Sequence, residues 1–152
     1  MGFSIITDFS NVSKEGFKFF ITNISDDFVP SLLPRIEIDK YYDKLKRFAT
    51  VVFCMEGNRI VGMVATYCNN QETKMAYTSL VAVDKDYRGL HIATKMMEIT
   101  IACAKQMGME KIGLHTNSIV ARDFYLKIGF HVIDVKHINE LSLDRYYLEF
   151  TL

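Results

Sequence analysis

The N-terminal third of the chain alternates between short apolar runs and polar breaks. Residues 3–7 predict a short strand. Apolar residues recur at helical spacing over about residues 13–23 and again over residues 38–48, which predicts two helices. Pro30 and Pro34 lie between them, so residues 28–35 are expected to form an irregular loop.

From residue 50 onward the pattern changes to strands. Strands are predicted over 50–55, 59–68 and 74–83, with a tight turn at 56–58, and later over 111–116, 131–135 and 145–152. An apolar stripe predicts a long helix over 92–107, capped by Gly108, and a second helix over 119–127 is closed by Gly129. The resulting element order is β-α-α-β-β-β-α-β-α-β-β.

Composition narrows the function classes. The chain has 152 residues with 49% apolar composition, which suits one domain spanning 1–152 with a single sizeable core. Eighteen basic residues balance eighteen acidic ones, so nucleic acid is not an expected partner. Three cysteines without metal-ligand spacing predict no zinc site and suit a reducing cytoplasm. Because no apolar run approaches the ~20 residues that span a bilayer, no membrane association is expected.

The junction between the strand ending at Val83 and the long helix carries the first candidate chemistry. A strand that turns through Arg88 and Gly89 into a helix aims unpaired N–H groups at whatever fills the turn, and an anion is the natural occupant. Arg88 adds positive charge, and Thr94 adds a hydroxyl donor. An ordinary strand-to-helix connection with a solvated arginine is the structural alternative. Neither a Walker A loop nor a dinucleotide glycine fingerprint is present.

A second segment, residues 117–130, carries a motif that adds to the evidence of the first. Ala121 and Tyr125 share one helical face, and Gly129-Phe130 ends that helix and starts a strand. Together the two segments resemble the GNAT acetyltransferases. The family's later signature, AxxxYxKxGF, is matched fully by Ala121, Tyr125, Lys127, Gly129 and Phe130, and its earlier one, [Q/R]xxGx[G/A], is matched in part from Arg88 to Ala93.

Two positions depart from the family pattern. His91 replaces the middle glycine of the earlier motif, which at a positive φ costs about 1 kcal/mol relative to glycine. Ser118 stands where the family usually has an asparagine, and Asn117 is displaced by one position. The resemblance implies an α/β (α+β) GNAT fold, with a mixed, mostly antiparallel sheet of about seven strands and about four flanking helices.

The resemblance also implies acetyl-CoA as co-substrate, without a metal. Its arm would lie along the strand before the loop, and its diphosphate would lie at the loop and helix start. The residues assigned to it are Val81, Val83, Arg88, Gly89, Leu90, His91, Ile92, Ala93, Thr94 and Asn117.

The implied reaction is direct attack of a primary amine on the thioester. Tyr125 would donate a proton to the leaving thiolate, since a phenol pKa near ~10 and a thiol pKa near ~8.5 are close. Many family members carry a glutamate as base where this chain has Tyr77. Tyr77, Glu72, His115 or a water chain remain open as the base, and Cys68 remains open as an acyl carrier.

The acceptor pocket in this family is built largely by the segment that joins the first two helices. Phe28, Arg35 and Tyr41 are therefore candidate substrate-binding residues, with simple packing as the alternative. They suggest a small-molecule amine, such as an amino sugar or a nucleotide-linked amino sugar. Exposed edge strands near the C-terminus would permit a homodimer.

Two rival readings remain open at this stage. One is a non-catalytic acyl-CoA-binding regulatory domain of the same fold, and the other is an unrelated binder of ATP or NAD. Tyr125 favours the enzyme over the regulatory domain, whereas the lack of an obvious base favours the regulatory domain; the missing glycine fingerprints disfavour the binder of ATP or NAD.

Overall fold

A seven-stranded sheet forms the centre of the molecule. The structure, a computed structural model, describes residues 2–152. The strands are β1 (Ser4–Ile6), β2 (Thr50–Glu56), β3 (Arg59–Tyr67), β4 (Met75–Val83), β5 (Lys111–Thr116), β6 (His131–Ile138) and β7 (Leu143–Thr151). Their order in the sheet is β1-β2-β3-β4-β5-β7-β6. Strands β4 and β5 pair in parallel and the other neighbours pair in antiparallel fashion, which confirms the mixed, mostly antiparallel sheet.

Within residues 2–152, five α-helices cover the sheet from both sides. They are α1 (Lys14–Ile24), α2 (Leu32–Arg35), α3 (Ile38–Phe48), α4 (Ile92–Gln106) and α5 (Ile119–Ile128). The sequence predicted four of them; the short α2 lies within the predicted loop. Helices α1 and α3 share one core with β2, β3 and the end of β4, whereas α4 and α5 share the core on the opposite face. None of the described helices is long and apolar enough to cross a membrane.

Local chemistry accounts for these elements. The Ser13 hydroxyl accepts a hydrogen bond from the Gly16 N–H at 3.0 Å and so caps the start of α1. Residues at helical spacing in α1 are fully buried, and burying each such side chain contributes roughly 1.5–3 kcal/mol; they include Phe17, Phe20, Ile21 and Ile24. The predicted turn after β2 is confirmed, and Gly57 supplies its left-handed residue with a φ of +60°.

The parallel strands β4 and β5 separate where the site lies. Their pairing runs from Met75 opposite Lys111 to Thr78 opposite Leu114 and then stops. Strand β4 continues to Val83, paired only with β3. Ser79 is an extra residue in that pairing, because Thr78 and Leu80 face the consecutive residues Thr66 and Ala65, and such bulges bend a strand. Residues 79–83 therefore present an edge toward β5 without a strand partner.

Candidate active site

The turn from β4 into α4 has the geometry of an anion site. Gly89 and His91 both adopt left-handed conformations, with φ of +80° and +61°. His91 precedes the helix and its side chain does not cap it, and the first intrahelical bond runs from the Lys95 N–H to the His91 carbonyl. The N–H groups of Ile92, Ala93 and Thr94 therefore point out of the helix start, where the dipole is positive. These groups could hold a diphosphate.

Arg88 lies at the mouth of this turn rather than over the helix start. Its Nη2 is 2.8 Å from Asp27 Oδ2, and its Nε donates to the Val83 carbonyl at 3.2 Å. Asp27 belongs to the segment directly after α1. Arg88 thus joins the anion-binding turn to the loop after α1, and its predicted contact with a diphosphate stays a prediction.

Asp84, a buried residue, supports the turn from below. It is 1% exposed, accepts the Asp86 N–H at 3.0 Å, and receives hydrogen bonds from Arg59 at 2.8 Å and Asn23 at 2.9 Å. Burial acts to raise the pKa of this carboxyl, but the hydrogen bonds from Asp86 and Arg59 outweigh burial, so its pKa is lowered. A charged Asp84 therefore fixes the start of the turn.

Asn117 lies at the open end of the separated strands. Its Nδ2 donates to the Val29 carbonyl at 2.8 Å, across 88 residues of sequence. Its Oδ1 is buried and finds no hydrogen-bond partner within residues 2–152. A buried acceptor of this kind suits a ligand that brings an N–H group, such as an amide of an extended arm. Val81 and Val83 are half-buried on the part of β4 that has no partner on its β5 side.

Tyr125 is buried in the core shared with α4 and α5. Its ring lies 5.6 Å from that of Phe130 and 5.3 Å from that of Phe124, between centroids. Burial raises the pKa of this phenol above its usual value. Because the hydroxyl stays protonated at any working pH, it can stabilise a thiolate as a hydrogen-bond donor, and full proton transfer from it is less favourable than an unperturbed phenol would allow.

Tyr77 and His115 meet on the opposite face of the sheet. The Tyr77 hydroxyl is 2.7 Å from His115 Nδ1, although 38 residues separate them. Partial burial of its ring lowers the pKa of His115, and the charges of Arg145 and Lys136 lower it further against an opposing effect of Asp134. Burial also raises the pKa of Tyr77. A neutral histidine beside a protonated phenol is an arrangement that can accept a proton.

Tyr147 and Glu149 extend this pair and were missed by the sequence analysis. The Tyr147 ring is tilted by 42° to the His115 ring with centroids 4.8 Å apart, and its hydroxyl donates to Glu149 Oε2 at 2.9 Å. Burial and the Glu149 carboxylate raise the pKa of Tyr147 to about 12. A side chain at Gly113 would meet the Tyr147 ring, so this glycine makes the room. The sequence signal that could have found them is the alternation along β7, in which Tyr147 and Glu149 lie on the sheet face opposite to the buried Tyr146 and Leu148.

The three predicted acceptor residues mostly build the loop itself. Arg35 donates to the Ser31 and Pro30 carbonyls at 2.8 and 2.7 Å, which engages its guanidinium. Tyr41 packs against Phe17 with ring centroids 6.0 Å apart, and burial raises its pKa. Phe28 packs against the α1/α3 core.

The other residues that the sequence left open as base or acyl carrier lie away from Tyr77 and His115. Cys68 is 2% exposed, and burial raises the pKa of its thiol, which disfavours the nucleophilic thiolate. Glu72 is exposed in the turn before β4, where its N–H donates to the Asn70 side chain. Within residues 2–152 no three side chains group as metal ligands.

Comparison with known proteins decides the family. Residues 47–132 match the family model described as Acetyltransferase (GNAT) domain, which is more than half of the chain. The chain belongs to the GNAT acetyltransferase family. Among sequence relatives of this GNAT domain is the N-alpha-acetyltransferase 30 of Schizosaccharomyces pombe, 30% identical over 103 residues, which covers 64% of this chain and 63% of the relative.

Solved structures support the fold over the whole GNAT chain. The NatC complex bound to Gag peptide and CoA contains a chain with a TM-score of 0.82 at 20% identity, covering 100% of this chain and 99% of that one. Arabidopsis thaliana Naa50 in complex with the bisubstrate analogue CoA-Ac-MVNAL gives a TM-score of 0.74 at 21% identity, with 100% of both chains covered. The GNAT chain spans between 31% and 63% of the length of the curated relatives it matches.

Proposed function

We propose that this chain is an acetyl-CoA-dependent N-acetyltransferase that acetylates the α-amine of a peptide N-terminus. Three features fit the co-substrate: the uncapped start of α4, the unpaired edge of residues 79–83, and the buried Asn117 Oδ1 without a partner. Acetyl-CoA supplies an activated thioester. The separated strands would admit its arm, with Asn117 as an acceptor and Tyr125 as a donor at the thiol.

The observation that carries the proposal is the Tyr77–His115 contact of 2.7 Å. When the phenol donates to the unprotonated Nδ1 of a neutral histidine, its oxygen is free to accept a proton from an incoming ammonium. One proton then passes to Tyr77 as the phenolic proton passes to His115. This arrangement supplies the base that the missing glutamate left open, and it favours the enzyme over a non-catalytic acyl-CoA-binding domain.

A peptide is favoured over the amino sugar suggested by the sequence. The sugar interpretation depended on Phe28, Arg35 and Tyr41; Arg35 is engaged in the loop, and Phe28 and Tyr41 pack against the α1/α3 core. Two structural neighbours that match the whole chain are ligand complexes: the NatC complex is bound to Gag peptide and CoA, and Naa50 is bound to the bisubstrate analogue CoA-Ac-MVNAL. The side chains of Tyr77 and His115 stand on a sheet face that α1 and α3 leave open toward β7, which suits an extended chain.

The test is acetyl transfer to matched acceptor panels. Purified protein with acetyl-CoA is given short peptides with free N-termini, the same peptides with blocked N-termini, and amino sugars with and without a linked nucleotide. Mass spectrometry should find one acetyl group on the free α-amine only. Tyr77→Phe and His115→Phe should each lower kcat by about 100-fold, the range of general acid–base catalysis.

Tyr146→Phe is the control, because Tyr146 lies on the same strand as Tyr147 but faces the other core. It should keep near-normal turnover. Acetylation of amino sugars and not of peptides would overturn the peptide assignment. Acetyl-CoA binding without acetylation of any amine would instead favour the regulatory domain.

A further inference from the structure

One half of one sheet face is open, and it adjoins the Tyr77–His115 pair. Alternate residues of β5 and β7 that face α4 and α5 are buried: Ile112, Leu114, Tyr146 and Leu148. The residues between them point to the other face, where the α1/α3 core reaches only as far as β4. This open face carries Tyr77, His115, Tyr147, Glu149, Arg145, Asp134 and Lys136.

Two cations lie directly opposite each other on this face. Arg145 of β7 pairs with Lys136 of β6 in the antiparallel register, two residues along the strands from Tyr147 and Asp134. Like charges directly opposite each other destabilise a sheet. Both side chains are exposed, and within residues 2–152 neither forms an ion pair. The fold itself therefore gives no account of this pair.

The carboxylates of the open face do not neutralise the positive charge of Arg145 and Lys136. Glu149 accepts from Tyr147 at 2.9 Å and lies 3.5 Å from Lys111 Nζ, so its charge is engaged on the far side of His115. Asp134 stands opposite Tyr147 and makes no ion pair among the described residues. Arg145 and Lys136 have no carboxylate partner among the described residues, and against the single carboxylate of Asp134 they leave a net positive charge on the part of the face beside Tyr77 and His115.

We propose that Arg145 and Lys136 bind an acidic side chain in the first two residues of the acceptor peptide. The inference rests on the proposed function, since it names the acceptor of the same site. One step of two residues along a strand is about 6.8 Å, so the long side chains of Arg145 and Lys136 can reach a carboxylate near the N-terminus of a peptide whose α-amine lies at Tyr77. A guanidinium can bind that carboxylate in bidentate fashion, and the ammonium adds a second charge-assisted bond.

The experiment compares kcat/KM for peptides that differ only by Asp or Asn at residue 1 or at residue 2. The wild-type protein should prefer the Asp peptide by about tenfold at one of these positions, the usual worth of one charge-assisted hydrogen bond. The double variant Arg145→Gln, Lys136→Gln should reduce that ratio to about one, and Arg145→Glu, Lys136→Glu should instead prefer a Lys peptide.

A matched control removes the same two charge types elsewhere. Arg47 on α3 and Lys105 on α4 are exposed and lie off the open face, so Arg47→Gln, Lys105→Gln should keep the preference. An equal kcat/KM for the Asp and Asn peptides in the wild-type protein would overturn the inference while leaving peptide acetylation intact.

A binding measurement separates this inference from the proposed function. Calorimetry with N-acetylated Asp and Asn peptides, in the presence of CoA, needs no turnover. Tighter binding of the Asp product, lost in Arg145→Gln, Lys136→Gln, supports the acidic site even if the amine chemistry were wrong. Equal binding of the two products, or binding of neither, contradicts it.

Discussion

At the scale of single residues, the environment of His115 sets what it can do. Burial and the nearby cations Arg145 and Lys136 disfavour the imidazolium, while the Tyr77 hydroxyl lies against Nδ1. Tyr125 is the contrasting case, because burial holds it in its neutral form as a donor. From the sequence alone, Tyr77 and His115 were only separate candidates, since their contact depends on the parallel register of β4 and β5.

The pH dependence of kcat/KM tests this account of His115. Because the pKa of His115 in the folded protein is below the ordinary histidine pKa of about 6.5, the ring is still mostly neutral at about pH 6.5. Activity should therefore stay high as the pH falls to about 6.5 and decrease only at lower pH. Removing one cause of the shift with Arg145→Gln should move the acidic midpoint to higher pH. Arg47→Gln is the control, and an unmoved midpoint in Arg145→Gln would contradict the assigned cause.

At the scale of elements, the β4–α4 turn depends on contacts that no local pattern contains. The strand, the helix and the glycine turn were predictable from spacing and propensity, and so was the cost of His91 at a positive φ. The bonds that hold the turn join Asp84 to Asn23 and Arg88 to Asp27, each across 61 residues of sequence. Pairings over such distances follow from how α1 packs on the sheet, which the sequence pattern does not specify.

The variant Asp84→Asn tests how much the charge of Asp84 stabilises the β4–α4 turn. It removes a buried charge that receives bonds from Arg59, Asn23 and Asp86, so the free energy of unfolding should fall by about 1–3 kcal/mol at pH 7. Because the folded pKa is below the unfolded value of about 3.9, this contribution is present above that value and lost as pH falls through the folded pKa.

Urea unfolding of wild type and Asp84→Asn between pH 7 and pH 3 checks this expectation. The difference in stability should shrink toward acid. The exposed neighbour Asp86→Asn serves as the control and should change stability by less than about 0.5 kcal/mol. A pH-independent difference would show that packing, and not the charge of Asp84, supports the turn.

At the scale of the whole molecule, strand order and strand separation create the site. The parallel pair β4–β5 parts after Thr78 and Leu114, which opens one cleft between a helix N-terminus on one face and the Tyr77–His115 pair on the other. Element order, the number of strands and the GNAT family could be inferred from the sequence. The open face and its cations could not, because they depend on which half of the sheet α1 and α3 cover.

The central claim is that the start of α4 holds the diphosphate of acetyl-CoA, and position 91 offers a clean test. Asn and Asp both tolerate the left-handed conformation and nearly share a shape, and Asp also suits a helix N-terminus, so both variants should fold. Only His91→Asp places a negative charge where the diphosphate would lie.

The measurement is a calorimetric titration of wild type, His91→Asn and His91→Asp with acetyl-CoA. Wild type and His91→Asn should bind with similar Kd, and His91→Asp should bind about tenfold more weakly or worse because of charge repulsion. Equal binding by the Asn and Asp variants, or no binding of acetyl-CoA by the wild-type protein, would contradict the account.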